Sequence, residues 1–323
     1  MARILTTGGR GFLGSRFVRY AIEQSAEVVD IDSLTYAADP NAHAGVKGYT
    51  HLEIDVVSAH PDRIARYGPY DAMVHFAAES HVDRSLGGPE ATARTNVLGT
   101  CRMLEVARAL AIPKVVYVST DEVTGDLGFG TPPIEGIETD PMRPGSPYAA
   151  SKAGAELLAH SYVRSFGTPV VIARPSNCYG PRQTPEKFIP RAITRILSGR
   201  TAPLFGDGQQ IRDWMHVLDA TRGIWAAMER GTHGRVYSLS AEDPRTNRSV
   251  IEQIATALNG KIERVADRPG HDQRYEVVPK RAREELSWRA IVPWADGLKE
   301  TIDWYVENEP WWRAAAKRVE AMW

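Results

Sequence analysis

A tyrosine and a lysine stand at i, i+4 in Tyr148-Ala149-Ala150-Ser151-Lys152, which puts both on one face of a helix. A lysine ammonium beside a phenol favours the phenolate, a group able to take a proton from a substrate hydroxyl. Such pairs also occur on ordinary helices, so the meaning of this one depends on its surroundings. Upstream, Thr120-Asp121-Glu122 sets two carboxyls side by side after an apolar run. Paired carboxyls permit opposite proton-transfer duties, one held protonated as an acid while its neighbour stays ionised as a base; the plainer reading is a solvated acidic turn. A third signal, Thr7-Gly8-Gly9-Arg10-Gly11-Phe12-Leu13-Gly14, falls between a strand-like run and a helical one. Glycines there let the backbone turn tightly against a pyrophosphate, whose charge the helix N-terminus stabilises. The next run, Val28-Val29-Asp30-Ile31-Asp32, ends in an acid near the spacing at which a carboxylate accepts the adenosine ribose hydroxyls. Asp32 would repel a 2′-phosphate, so NAD is expected rather than NADP, against the contrary hint of Arg10 inside the turn. Asp55-Val56 either frames adenine or is an ordinary strand-end pair.

Positioning these groups calls for an α/β scaffold. Ile4-Leu5, Val28–Ile31, His51–Val56, Asp71–Ala78, Lys114–Ser119 and Pro169–Ala173 read as strands. Phe12–Glu23, Ala93–Ala111 and Tyr148–Phe166 have helical spacing. Runs such as Val115-Val116-Tyr117-Val118 are apolar on successive residues, as parallel strands covered on both faces must be. The expectation is a Rossmann-type, doubly wound parallel sheet. It covers residues 1–174, with part of 207–231 returning to it. Residues 175–323, richer in proline, arginine and tryptophan, form a smaller substrate-binding domain. Ala155, Leu158, Ala159 and Tyr162 make an apolar stripe whose partner is either the sheet or the same helix of a second subunit. The tail pairs Trp304-Tyr305 and Trp311-Trp312 are expected to pack rather than bind.

Composition narrows the class. With 43% hydrophobic and 24% charged residues, the 323-residue chain resembles ordinary folded proteins. Its 39 basic and 40 acidic side chains leave a net charge of −1, without the basic field that grips nucleic acid or an anionic membrane. Two cysteines, Cys101 and Cys178, build neither a disulfide framework nor a four-cysteine metal site, and no metal is expected. No apolar stretch approaches membrane-spanning length, and the first residues leave no room for a signal peptide, so a cytoplasmic setting is expected.

Once the glycine turn precedes Tyr148 and Lys152, the chain resembles the extended short-chain dehydrogenase/reductase (SDR) family, with Thr120 as its third catalytic residue. Thr120-Asp121-Glu122-Val123 and His75-Phe76-Ala77-Ala78-Glu79-Ser80-His81-Val82-Asp83-Arg84-Ser85 are similar to the dTDP-glucose 4,6-dehydratase branch of that family. So are Ser176-Asn177, Tyr179-Gly180-Pro181, Pro185–Pro190, Gly206-Asp207-Gly208, Arg212-Asp213-Trp214 and Arg268–Asp272, making the likeness essentially complete along the chain.

This resemblance implies a lyase cycle. Tyr148 takes the C4 hydroxyl proton as NAD accepts the C4 hydride; Glu122 removes the C5 proton while Asp121 protonates the departing C6 hydroxyl; hydride then returns to C6. The implied cofactor set is Gly8, Gly11, Phe12, Leu13, Gly14, Asp32, Asp55, Val56, Ala77, Ala78, Asn96, Tyr148 and Lys152. The implied sugar-nucleotide set is Asn177, Glu186, Lys187, Phe205, Arg212, Asn247, Arg268 and His271. Phe205 either stacks on the base or belongs to the core. A homodimer is implied as well. Thr124, Cys178 and Val278 depart from the pattern, which has tyrosine, asparagine and an acid there. The alternatives are a dehydratase of another nucleotide hexose and a sugar-nucleotide 4-epimerase, which would have no use for an acid at C6.

Overall fold

The computed structural model describes residues 1–267 and 270–320. Six strands form in the first part of the chain: β1 (Arg3–Thr7), β2 (Glu27–Asp32), β3 (Tyr49–Glu53), β4 (Ala72–His75), β5 (Val115–Val118) and β6 (Val170–Pro175). Six more follow: β7 (Asn177–Tyr179), β8 (Ala202–Phe205), β9 (Ile211–His216), β10 (Val236–Leu239), β11 (Pro244–Thr246) and β12 (Ile262–Val265). A seven-stranded sheet runs in the order β10-β6-β5-β4-β1-β2-β3, and every pairing in it is parallel. This is a Rossmann-type α/β fold.

Successive strand residues are apolar because both faces are covered. Ile4, Val28, Val74 and Val116 point into one core with helices Phe12–Glu23 and Val217–Arg230; Leu5, Val29, Met73 and Val115 point into the other, with Gly99–Ala109 and Pro147–Phe166. The chain comes back to the large sheet through Val217–Arg230 and β10, the edge strand beside β6. Between these passages, β11-β9-β7 and the pair β12-β8 make two small sheets. They share a third core with Tyr179, Trp214, Trp294, Tyr305 and Trp312. Trp304 and Trp311 meet edge to face at 4.9 Å, so the aromatic tail packs.

Two expected elements form differently. The run read as a strand over 51–56 ends at Glu53, because Asp55 accepts the Val57 N–H at 2.9 Å and starts a tight turn. The run read as one helix over 93–111 contains a wide turn at Arg94–Leu98 before regular helix resumes at Gly99. Asn96 in that turn bonds Glu79 and Ser151, which lie outside its own helix.

Helix Pro147–Phe166, which carries Tyr148 and Lys152, is bounded by local chemistry. Ser146 Oγ accepts the Ala149 N–H at 3.1 Å, Pro147 occupies the first turn, and Gly167 closes the helix at φ 66°. Its inner face carries Glu156, fully buried and gripped by Arg174 of β6, whose Nε donates to both carboxylate oxygens at 3.1 Å. Removing one partner strands a buried charge. Glu156→Gln should therefore cost about 3 kcal/mol in urea unfolding, whereas a loss below about 1 kcal/mol would show that Arg174 finds another partner.

Candidate active site

β1 lies between β2 and β4, and a cleft of about 330 Å³ opens beyond the carboxyl ends of these strands. The glycine turn lines it. Gly8 has φ +70°, and a Cβ there would stand 2.8 Å from the Ala77 backbone; one on Gly14 would meet the Gly8 carbonyl at 2.1 Å. Gly11 caps helix Phe12–Glu23 without any side-chain bond, leaving the first helical N–H groups to a ligand anion. This cradle fits a dinucleotide pyrophosphate.

Phe12, Leu13, Asp32, Asp55, Val56, Ala77 and Ala78 line the same cleft. Asp32 accepts the Arg10 and Leu34 N–H groups at 3.0 and 2.8 Å. The Arg10 guanidinium turns Nε to the Tyr49 hydroxyl, at 3.1 Å, and Nη1 to the Pro40 carbonyl. Asn96 is not among the lining residues. It is buried, and its amide joins the Glu79 backbone, at 2.8 and 2.9 Å, to the Ser151 hydroxyl, at 2.8 Å.

Thr120, Glu122, Tyr148 and Lys152 line the cleft, whereas Asp121 is buried outside the lining. Thr120 caps the short turn Asp121–Thr124, and its hydroxyl donates to Asp121 Oδ1 at 3.3 Å. Asp121 Oδ2 has no hydrogen-bond partner among the described residues. Burial, with the neighbouring charges of Glu122 and Asp213, pushes the Asp121 carboxyl up to about 8, despite Arg212. Burial lowers Lys152 to about 7; its Nζ donates to the Val118 carbonyl at 2.6 Å and sits 4.4 Å from the Tyr117 ring centre.

The depressed phenol expected of Tyr148 is not produced by the protein's own groups. Burial holds Tyr148 well above its ordinary value and Glu122 adds to this, with the Thr120 hydroxyl opposing. Lys152 turns its Nζ to the Val118 carbonyl and is lowered by its own burial, which weakens the expected stabilisation of phenolate.

A second cavity of about 180 Å³ adjoins the cleft, lined by Asn177, Glu186, Lys187, Phe205, Arg212, Asn247 and His271. Glu122, Asn177 and Lys187 line both spaces. Arg212 stacks on the Tyr275 ring at 4.6 Å and donates to the Asp272 carbonyl at 2.9 Å; Lys187 Nζ donates to the Ser80 carbonyl at 2.5 Å. Glu186 pairs with Arg84 at 3.5 Å, and His271 meets Asp267 at 2.6 Å. Arg268 lies outside the described residues. His81, Arg191, Trp214 and Tyr275 also line this cavity and were not singled out from the sequence. His81 and Trp214 stand inside quoted motifs and Arg191 directly after one, but the motifs carried no assignment of these side chains to a cavity.

The three departures differ in place. Cys178 lines both spaces, its thiol donating to the Ser176 carbonyl at 3.2 Å. Thr124 is buried and donates to the Asp121 carbonyl at 2.7 Å. Val278 hydrogen-bonds through its backbone to Ile134 at 2.8 Å. Among the described residues no cluster of three or more His, Cys, Asp or Glu could hold a metal ion, and no helix is long and apolar enough to cross a membrane.

Residues 4–240 match the model of the NAD dependent epimerase/dehydratase family. The chain is 41% identical to a dTDP-glucose 4,6-dehydratase of Mycolicibacterium smegmatis, over 99% of this chain and 98% of that one. It is 42% identical to a dTDP-glucose 4,6-dehydratase of Streptomyces griseus, over 96% and 95%. A dTDP-glucose 4,6-dehydratase of Streptomyces venezuelae, solved with NAD bound, superposes with a TM-score of 0.91 at 41% identity, over 97% of this chain and 99% of that one.

The raised Asp121 carboxyl makes a stability prediction. Folded Asp121 keeps its proton up to about pH 8, whereas the unfolded chain releases it near 3.8, so stability falls as pH rises between these values and then levels. Asp121→Asn removes that loss. The variant should gain a few kcal/mol over wild type as pH rises from about 4 to about 8 in urea unfolding; a pH-independent difference would contradict the raised carboxyl.

Proposed function

The chain belongs to the NAD-dependent epimerase/dehydratase family, and from that premise we propose that it dehydrates dTDP-glucose to dTDP-4-keto-6-deoxyglucose as an NAD-dependent hydro-lyase. The observation that carries the reading is the meeting of the two cavities at Glu122, beside a second carboxyl held protonated at neutral pH. An epimerase, which inverts C4 and leaves C6 alone, has no task for that acid.

The cradle of Gly8, Gly11 and Gly14, with Asp32 at the ribose position, would hold NAD, with Asp55 and Val56 beside the adenine. When bound, NAD supplies an acceptor for the C4 hydride, a donor that returns it to C6, and a positive ring charge that favours Tyr148 phenolate. Tyr148 takes the proton of the C4 hydroxyl, with Thr120 hydrogen-bonding the phenol or substrate oxygen and Lys152 orienting the ring end. The resulting C4 ketone acidifies C5–H. Glu122 then removes that proton, and the electron pair left on C5 forms the C5–C6 double bond as the C6–O bond breaks. Asp121, which lies behind the cavity wall and contacts the lining residue Thr120, is assigned as the source of the proton that the departing hydroxyl takes as it leaves as water. Glu122 returns a proton to C5 as C6 is reduced, which leaves Tyr148 protonated and Asp121 ionised; passage of the Tyr148 proton to Asp121 through the Thr120 hydroxyl, which contacts both, restores the two residues for the next substrate.

In the second cavity, Arg212 and Lys187 are assigned to the substrate diphosphate, Asn177, Asn247 and Glu186 to polar contacts, Phe205 to the base, and His271 to the cavity wall. Residues 1–174, with the return through Val217–Arg230, are assigned to the cofactor and the rest mainly to the sugar nucleotide. Two free cysteines support a reducing, cytoplasmic setting.

Single-turnover kinetics with dTDP-glucose test the roles. Asp121→Asn should form NADH and exchange the C5 proton with deuterated water while losing water at least about 100-fold more slowly. Glu122→Gln should form NADH without exchange, and Tyr148→Phe should slow NADH formation itself. Both carboxyl variants eliminating at the wild-type rate would defeat the mechanism. Equal water loss from UDP-glucose would remove the preference for dTDP.

A homodimer completes the reading. Leu157 and Phe166 on the Tyr148 helix are 59% and 54% exposed, and Leu98, on the segment packed beside that helix, is 40% exposed. Apolar side chains on neighbouring helices suit a two-fold contact. Wild type should scatter light as a dimer at micromolar concentration and Leu157→Glu as a folded monomer; a monomeric wild type would reject the assignment.

A further inference from the structure

We propose that Asp30 is a positioning residue of the glycine turn that couples pyrophosphate binding to the uptake of one proton, an inference that rests on the cleft being an NAD site. Asp30 lies on β2, is fully buried, and is absent from the cleft lining that Asp32 joins. Its Oδ1 accepts the Gly9 N–H at 2.8 Å and the Thr6 hydroxyl at 2.9 Å; its Oδ2 accepts the Tyr49 hydroxyl at 2.9 Å. Only glycine permits this approach at position 9, since a Cβ there would stand 2.3 Å from the carboxyl. On the other side of the same residue, His43 Nε2 donates to the Gly9 carbonyl at 2.8 Å. Both peptides flanking Gly9 are thereby fixed, while Gly8 and Gly11 remain in the cleft wall.

The surroundings of Asp30 determine what its charge does. Asp32 follows on the same strand, Thr6 comes from β1, and Tyr49 from β3 receives the Arg10 Nε at 3.1 Å. The His43 ring lies 4.4 Å from that of Tyr49, and burial keeps this histidine neutral by lowering it to about 4. Burial, followed by the Asp32 charge, pushes Asp30 up to about 7 against three hydrogen bonds that favour its anion.

A pyrophosphate dianion bound at the turn is a like charge to ionised Asp30 across a dry peptide. It must raise the proton affinity of Asp30 further, and by linkage the proton must tighten pyrophosphate binding. Below about pH 7 the carboxyl is already neutral and affinity is highest. As pH rises, the proton must be drawn from solvent and affinity falls, levelling once the bound form also ionises.

ADP-ribose tests this, because it carries the pyrophosphate without the nicotinamide that would face Tyr148 and Lys152. Titration calorimetry of the full-length, nucleotide-stripped protein, in buffers of different ionisation heat, reads both Kd and proton uptake. From about pH 6 to about pH 8.5, wild type should weaken roughly threefold to tenfold with net proton uptake. Asp30→Asn should lose that slope and bind at high pH as tightly as wild type at low pH. Tyr49→Phe removes one donor to the anion, so its fall in affinity should begin at higher pH, and it decides the matter if Asp30→Asn does not fold. A slope shared by wild type and Asp30→Asn, or a Tyr49→Phe profile identical to wild type, overturns the proposal. Failure of wild type to bind ADP-ribose at any pH overturns the NAD reading beneath it as well.

Discussion

The approach of Gly8 to the Ala77 backbone is the constraint that the rest of the site must respect. It follows from β1 pairing with β4 on one side and β2 on the other, so that the turn after β1 and the loop after β4 leave the sheet together. A run of polar contacts leads from there to the catalytic helix. Thr7 Oγ1 meets His75 Nδ1 at 2.6 Å, His75 Nε2 meets Thr100 Oγ1 at 3.0 Å, and Thr100 donates to the Asn96 carbonyl at 2.6 Å. Asn96 then donates to Ser151, which donates to the Tyr148 carbonyl at 2.7 Å. Asn96, expected at the cofactor, is instead a brace between the cofactor turn and the helix bearing Tyr148.

Burial gives these acids different characters through the partners each one finds. Burial pushes the Glu156 carboxyl up, but His160 and the Arg174 guanidinium along its carboxylate hold it below the usual range. Asp213 accepts backbone N–H groups from Ala241 and Glu242 at 3.2 and 3.0 Å, yet burial still raises it to about 6. Asp121, with one weak hydroxyl contact and two acidic neighbours, rises furthest, to about 8. Desolvation is common to all three; the number and sign of partners separates a permanently charged strut from a proton store.

Much of the large sheet was legible in the sequence because parallel strands covered on both faces are apolar at every position, and helices of ten or more residues repeat their stripe. Gly8 and Gly14 were legible for a different reason: close backbone approach tolerates few residue types at those places. The part after Arg174 was less so. Strands such as β7 and β11 have three residues each, too few to display a period, and their partners lie far away in sequence. Tyr275 and Trp214 were missed as cavity residues because a buried aromatic in a core and one in a cavity wall look alike without the third dimension. The sign of the Tyr148 shift was also out of reach, since it depends on whether Lys152 reaches the phenol or the Val118 carbonyl.

Asp121 and Glu122 differ most in surroundings, although they are adjacent and carry the same functional group. Thr120 begins the turn with its side chain, Thr124 returns a hydroxyl to the Asp121 carbonyl, and Gly125 leaves at φ +83°, where a Cβ would stand 2.1 Å from the Arg143 carbonyl. These end conditions fix a single tight turn. Consecutive residues in it must point in different directions, so Asp121 enters the dry interior while Glu122 reaches the wall shared by both cavities. One tight turn thereby gives two similar carboxyls opposite surroundings, the first buried and the second at the wall of both cavities. Thr124, read from the sequence as a departure, belongs to that turn through the hydroxyl it donates to the Asp121 carbonyl.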